Sequence, residues 1–115
     1  MTLETCTFND LPVKDMKRYF MPKDKGTWYC VKMDNQIVGV LGVSILGILA
    51  RINVWFVQSA YQSQGIGTFI LNEFVSQAQG LGVRKVIMVT NQTDLVKSLG
   101  WDKPTPGNLM VKEIA

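Results

Sequence analysis

Apolar residues recur along the chain with two distinct periods, and the change from one to the other marks out the elements. Between residues 27 and 33, Trp28 and Cys30 alternate with Tyr29, Val31 and Met33, the period-two pattern of a strand. Asp34 and Asn35 are turn formers, so the run folds back into a second strand over residues 36–45. A turn at Leu46 and Gly47 leads into a third strand over residues 48–57. Residues 37–50 carry no charge, so this antiparallel meander is predicted to be covered on both faces.

The period lengthens after residue 65. Ile66, Ile70, Phe74 and Ala78 repeat every four residues, flanked by Leu71 and Val75, which predicts a helix over residues 65–79 with one apolar stripe. Gly80 and Gly82 stop it, and residues 83–90 read as a strand buried on both sides, the parallel neighbour that a crossover helix reaches. Residues 91–94 cap a short helix ending near Leu99 and Gly100, and residues 101–103 pair with 109–114 as a final hairpin. Upstream, residues 5–8 form a short first strand. A helix capped by Asn9 or Asp10 follows, with Leu11, Met16, Tyr19 and Phe20 on its apolar side, and ends at Met21 and Pro22. The expected fold is mixed α/β in a single domain, residues 1–115: an antiparallel meander, a crossover helix to a parallel strand, and a C-terminal hairpin.

Composition narrows the chemistry. The chain has 115 residues and no histidine, which excludes Ser-His and Cys-His nucleophilic systems and removes the commonest zinc ligand. Cys6 and Cys30 are too few for a four-thiolate site and read as reduced thiols. The net charge of +3 is spread among mixed signs, with Lys14, Lys17 and Arg18 beside Asp10 and Asp15, so no nucleic-acid stripe is expected. The start of the chain lacks an export signal. The uncharged stretch 37–50 is glycine-interrupted and shorter than the ~20 residues of a membrane helix. A cytoplasmic protein without membrane or nucleic-acid partners is expected; a homodimer remains open.

The strongest local signal is Gln62-Ser63-Gln64-Gly65-Ile66-Gly67-Thr68. A strand ending in a glycine-containing loop that feeds a helix aims unpaired N–H groups and the positive end of the helix dipole at one point, where an anion fits. The alternative is a tight strand-to-helix turn with no ligand. Ile70 replaces the third glycine of the dinucleotide fingerprint, and no lysine separates Gly67 from Thr68 as in the triphosphate loop, so neither applies.

Gln62-x-x-Gly65-x-Gly67, preceded by Trp55-Phe56-Val57 and followed by an amphipathic helix, resembles the Gln/Arg-x-x-Gly-x-Gly/Ala motif of the GNAT superfamily of acyl-CoA-dependent N-acetyltransferases. Residues 85–89 resemble that family's next strand, and Ser98-Leu99-Gly100-Trp101 is similar to its "klGF" helix end. The resemblance implies that acetyl-CoA is the cofactor and that the main chain of Phe56 and Val57 takes the pantetheine arm as an added strand. It also implies that Gln62, Ser63, Gln64, Gly65, Ile66, Gly67 and Thr68 surround the diphosphate, with Asn91 flanking the thiol end. The acceptor would be an amine, on a small molecule or on a protein lysine or N-terminus, attacking directly in a ternary complex. The segment before the meander is short for that family, which commonly has two helices there, so the resemblance implies an open acceptor face. Two family features are missing: Val96 stands where a proton-donating Tyr is frequent, and residues 48–57 hold no Glu to act as base. Along that strand, Arg51, Asn53 and Trp55 share one face and Ala50, Ile52, Val54 and Phe56 the other. Ser98 as acid and Asp94 as base are the substitute catalytic candidates. The other readings are a CoA-binding or interaction protein on the same scaffold without turnover, and an unrelated α/β nucleotide binder.

Overall fold

The computed structural model describes residues 1–16 and 26–114. Six strands form one mixed sheet whose spatial order follows the chain: β1 (Glu4–Cys6), β2 (Thr27–Met33), β3 (Gln36–Leu46), β4 (Leu49–Val57), β5 (Lys85–Val89) and β6 (Leu109–Glu113). Strands β1 to β4 are antiparallel, β4 and β5 are parallel, and β5 and β6 are antiparallel. Helix α1 (Ile66–Gly80) makes the crossover between the parallel strands, and the short α2 (Thr93–Ser98) lies between β5 and β6.

Helix α1 forms where the four-residue repeat placed it, and it buries Ile66, Ile70, Leu71, Phe74 and Ala78 against the sheet. Phe74 meets Tyr29 of β2 edge-on, ring centres 5.5 Å apart. The helix ends as its glycines require: Gly82 takes the left-handed conformation (φ 79°), Val83 N–H donates to Ala78 O and Gly82 N–H to Gln79 O. A second cluster on the opposite side of the sheet joins Leu11, Met16, Trp28, Val40, Val54 and Phe56.

Three expectations change. The helix expected from residue 9 onward is replaced, within the described residues, by two 3₁₀ turns, Phe8–Asp10 and Val13–Met16. Pro12 is the reason: it excludes the helical conformation for the residue before it, and Leu11 is extended (ψ 145°). The remainder of that expected helix, with Tyr19, Phe20, Met21 and Pro22, lies outside the described residues. The final hairpin shrinks to one bridge, Asp102 to Val111, on one edge of β6, while the other edge pairs along its whole length with β5. Strand β5 is covered on one side only: Val86 and Met88 are buried beneath α1, while Val89 is 65% exposed.

Gly39 decides how closely α1 sits on β3, and with it where the first turn of the helix lies. A Cβ at this position would come 2.7 Å from Ile70 Cδ1 and 3.2 Å from Ile66 Cγ2. Gly39→Ala should therefore destabilise the fold by about 1–3 kcal/mol through overpacking. Gly80→Ala, at a helical position with open space around it, should not lower stability at all. Urea unfolding followed by circular dichroism compares the two.

Candidate functional site

The parallel ladder between β4 and β5 is short: Leu49, Ala50, Arg51 and Ile52 pair with Lys85, Val86, Ile87 and Met88. Strand β4 then continues to Val57 without β5 beside it. The departure coincides with a bulge, since Val54 pairs with Gly42 and Ile52 with Val43, leaving Asn53 as the extra residue.

The bulge changes which side chains face α1. Ala50 and Ile52 lie in the core beneath the helix, but Val54 and Phe56 belong to the opposite cluster, and Trp55 and Val57 pack on the helix side. The strict alternation expected along residues 50–56 therefore fails at Asn53. Without the bulge, Trp55 would face away from the loop it now touches: its indole N–H donates to Gly67 O at 3.0 Å, and its ring lies against Gly67.

Gln58 N–H donates to Val38 O at 2.8 Å, which makes Gly39 and Val57 a non-hydrogen-bonded pair. The Val57 N–H and C=O thus point away from β3, to the side that β5 has left, and those of Phe56 point to Val40 of β3. Of the two residues expected to meet an added strand, Val57 therefore has the main chain facing the open side, while that of Phe56 faces β3 and its side chain is buried on the far face. Val57 C=O already accepts a bond from Gln62 Nε2 at 3.2 Å.

A 3₁₀ turn, Ser59–Tyr61, connects β4 to the glycine loop, which turns through left-handed conformations at Ser63 (φ 66°) and Gly65 (φ 79°). Of the loop's two glycines, only Gly65 has a conformation that itself favours glycine, and a Cβ there would meet open space. Gly67 differs: its backbone is not left-handed, and a Cβ on it would lie in van der Waals contact with Trp55, 3.4 Å from Cζ2. The first α1 bond runs from Phe69 N–H to Gly65 O. Among the described residues, no protein acceptor takes the N–H groups of Ser63, Gln64, Gly65, Ile66, Gly67 or Thr68. Gly65 caps the helix without a side-chain bond, so the positive end of its dipole is uncompensated there.

These groups border a groove of about 430 Å³ lined by Trp55, Val57, Tyr61, Gln62, Ser63, Gly65, Ile66, Gly67, Thr68, Gln92 and Leu95. A second cleft of about 320 Å³ occupies the space where β4 and β5 diverge, between Ile52, Asn53, Trp55, Met88, Val89, Thr90, Asn91 and Gln92. Trp55 and Gln92 line both, so the two adjoin; together they are termed the channel.

The sequence profile of the acetyltransferase (GNAT) family matches residues 2–101. The chain belongs to the GNAT family. No curated protein sequence matches it. Its fold superposes on a GNAT family acetyltransferase from Elizabethkingia anophelis with acetyl-CoA bound (TM-score 0.82, 19% identity, 98% of this chain and 97% of that one). It likewise superposes on the ribosomal-protein-S18-alanine N-acetyltransferase of Escherichia coli (0.81, 16%, 99% and 94%). A third neighbour is an Escherichia coli GNAT family N-acetyltransferase in complex with CoA (0.79, 14%, 99% and 81%).

Of the cofactor residues named from the GNAT resemblance, Val57, Gln62, Ser63, Gly65, Ile66, Gly67 and Thr68 meet at the groove and Asn91 at the adjoining cleft. The side chains of Phe56 and Gln64 line neither. The catalytic candidates are not brought in: Asp94 and Ser98 are exposed outside both clefts, and the Ser98 hydroxyl donates to Leu95 O one turn back. Val96, at the family's Tyr position, is fully buried in the core. Its neighbour Leu95, 39% exposed, reaches the groove instead. Gln92, Leu95 and Thr90 were missed by sequence reasoning; an apolar Leu95 directly beside Val96 on so short a helix was the signal for Leu95, and the polar pair carried none.

No Asp, Glu, Lys or Arg lines either cleft among the described residues. The cysteines do not supply a nucleophile. Cys30 is buried, and burial together with the neighbouring Cys30 thiol pushes Cys6 up to about 12. A folded pKa above the unfolded one favours the protonated thiol. Its stabilising effect is complete below the ordinary thiol range and is lost as pH rises toward about 12. Iodoacetamide should therefore label Cys6 slowly in the native protein at pH 8, with a rate still climbing above pH 10, whereas urea-unfolded protein should label rapidly at pH 8.

Proposed function

We propose that this protein binds acetyl-CoA in the channel beside β4 and passes the acetyl group to an amine. The observation that carries the reading is the convergence of unpartnered amides at the start of α1 and the outward-facing main chain of Val57 on one groove. Family membership and the acetyl-CoA and CoA complexes of the structural neighbours support it.

The residues fit the group. The N–H groups of Gly65, Ile66, Gly67 and Thr68 would hold the diphosphate, aided by the helix dipole, and Val57 would hydrogen-bond the amide-bearing pantetheine arm. Gln62, already donating to Val57 C=O, sits where the two meet. When bound, the thioester supplies an acyl group already activated toward amines. The protein's share is to hold both partners in reach and keep water from the sulfur. With no carboxylate among the described residues lining the clefts, the amine would attack the thioester carbon as the free base, directly and within a ternary complex; the C–N bond forms as the C–S bond breaks, and the amine's proton leaves with the CoA thiol. A protein lysine or N-terminus, or a small amine, satisfies this chemistry. The setting is the cytoplasm.

A second reading, CoA binding without turnover, draws on Val96 in the core and on Asp94 and Ser98 outside the channel. Free-thiol release from acetyl-CoA over a panel of peptides and small amines separates the two: release that depends on an amine establishes transfer, and calorimetric binding with no release leaves the scaffold reading. Gly65→Asp places a carboxylate beside the amides at a position open to solvent. It should weaken CoA at least about tenfold by like-charge repulsion, and Gly65→Ala, which carries the same left-handed backbone strain (φ 79°) without the charge, is the control for any fall in melting temperature. Undiminished CoA affinity in this variant would remove the diphosphate from the start of α1.

A further inference from the structure

The loop between β5 and α2 is held by three bonds that together fix one amide. Thr90 N–H donates to Asn108 O at 2.9 Å, Gln92 N–H to Thr90 Oγ1 at 3.1 Å, and Asn108 Nδ2 to Asn91 Oδ1 at 3.1 Å. The last bond occupies the carbonyl oxygen of the Asn91 side chain and turns its NH₂ away from Asn108. Asn91 borders the cleft where β4 and β5 diverge, and no protein acceptor takes that NH₂ among the described residues. The cleft adjoins the cofactor groove, with Trp55 and Gln92 lining both. An arm lying along β4 from Val57 toward Asn53 advances about 3.3 Å per residue and brings its far end into this cleft.

We propose that the Asn91 side chain donates a hydrogen bond to the carbonyl oxygen of the bound acyl group, and that Asn108 is the positioning residue that sets the direction of this amide. The inference rests on the coenzyme A reading. An asparagine side chain presents a donor on one side and an acceptor on the other. Its usefulness toward a carbonyl oxygen therefore depends on which end a neighbour has claimed. Asn108 comes from the segment before β6, so a residue remote in sequence from the glycine loop controls the polarity of the far end of the channel.

The inference predicts an order of effects that packing alone would not produce. Asn108→Ala frees Asn91 to rotate. Asn108→Asp keeps the shape but can only accept, so it captures the Asn91 NH₂ and turns the Asn91 oxygen into the cleft, toward the acyl oxygen. Two probes isolate the contact: acetyl-CoA, and the S-ethyl thioether of CoA, which matches it except for the carbonyl oxygen. Calorimetry of wild type should show acetyl-CoA bound about 3- to 10-fold more tightly than the thioether. Asn91→Ala should abolish that ratio, Asn108→Ala should reduce it, and Asn108→Asp should reduce it at least as far as Asn91→Ala, each variant's own thioether affinity serving as the reference that cancels any change common to both probes. A ratio intact in Asn91→Ala, or Asn108→Asp milder than Asn108→Ala, overturns the proposal and leaves the coenzyme A reading standing. Failure of wild type to bind either probe overturns both.

Discussion

The divergence of β4 from β5 is the constraint on which the channel depends. Four residues of parallel pairing tie the strands together, and then Asn53 enters β4 as an unpaired extra residue. A bulge bends its strand and increases the local twist, and here it also reverses the facing of every residue after it. The reversal turns Trp55 toward α1, where its indole bonds Gly67 and ties the strand to the first turn of the helix. One inserted residue thus separates the strands, leaves main chain exposed along β4, and connects that edge to the amides that follow.

The channel is built almost entirely from backbone and neutral side chains. Magnitudes indicate which part of it would govern an anion. The helix dipole contributes typically about 0.3–1 kcal/mol at an exposed site. A hydrogen bond to a charged group is worth about 1.5–3 kcal/mol, and several amides at the start of α1 lack a protein acceptor. Directional N–H donation therefore outweighs the dipole. It also makes the position of the first turn matter more than any single side chain. That position is set from below by the close approach of Ile66 and Ile70 to Gly39.

The second half of α/β packing serves the other end of the channel. Val96 and Trp101 bury themselves with Met110 in the main core, so α2 docks through the side that the family frequently uses for a tyrosine. Its groove-facing side is left to Leu95 and Gln92. The loop ahead of it is bound to the segment before β6 by Thr90 and Asn91. Asp94 and Ser98, on the same short helix, are left facing solvent outside both clefts.

Much of this was legible in the chain itself. The change from a two-residue to a four-residue repeat placed β2, β3, β4 and α1, because periodicity records which side of an element leaves water. The glycines at 65 and 82 marked both ends of the helix, because a left-handed backbone excludes most side chains. The anion-accepting loop was visible for the same reason. The N-terminal turns could have been read as well, since Pro12 forbids a helix through Leu11 on local grounds alone. The bulge at Asn53 could not. It is a matter of register against β3, and nothing in residues 49–57 distinguishes an extra residue from a paired one. The facing of Trp55, the withdrawal of Phe56, the burial of Val96 and the meeting of Asn91 with Asn108 all follow from pairings between segments far apart in sequence. Local pattern determined which elements form and where they end. Only the tertiary structure decided which atoms they turn toward one another, because orientation is fixed by partners that no single segment contains.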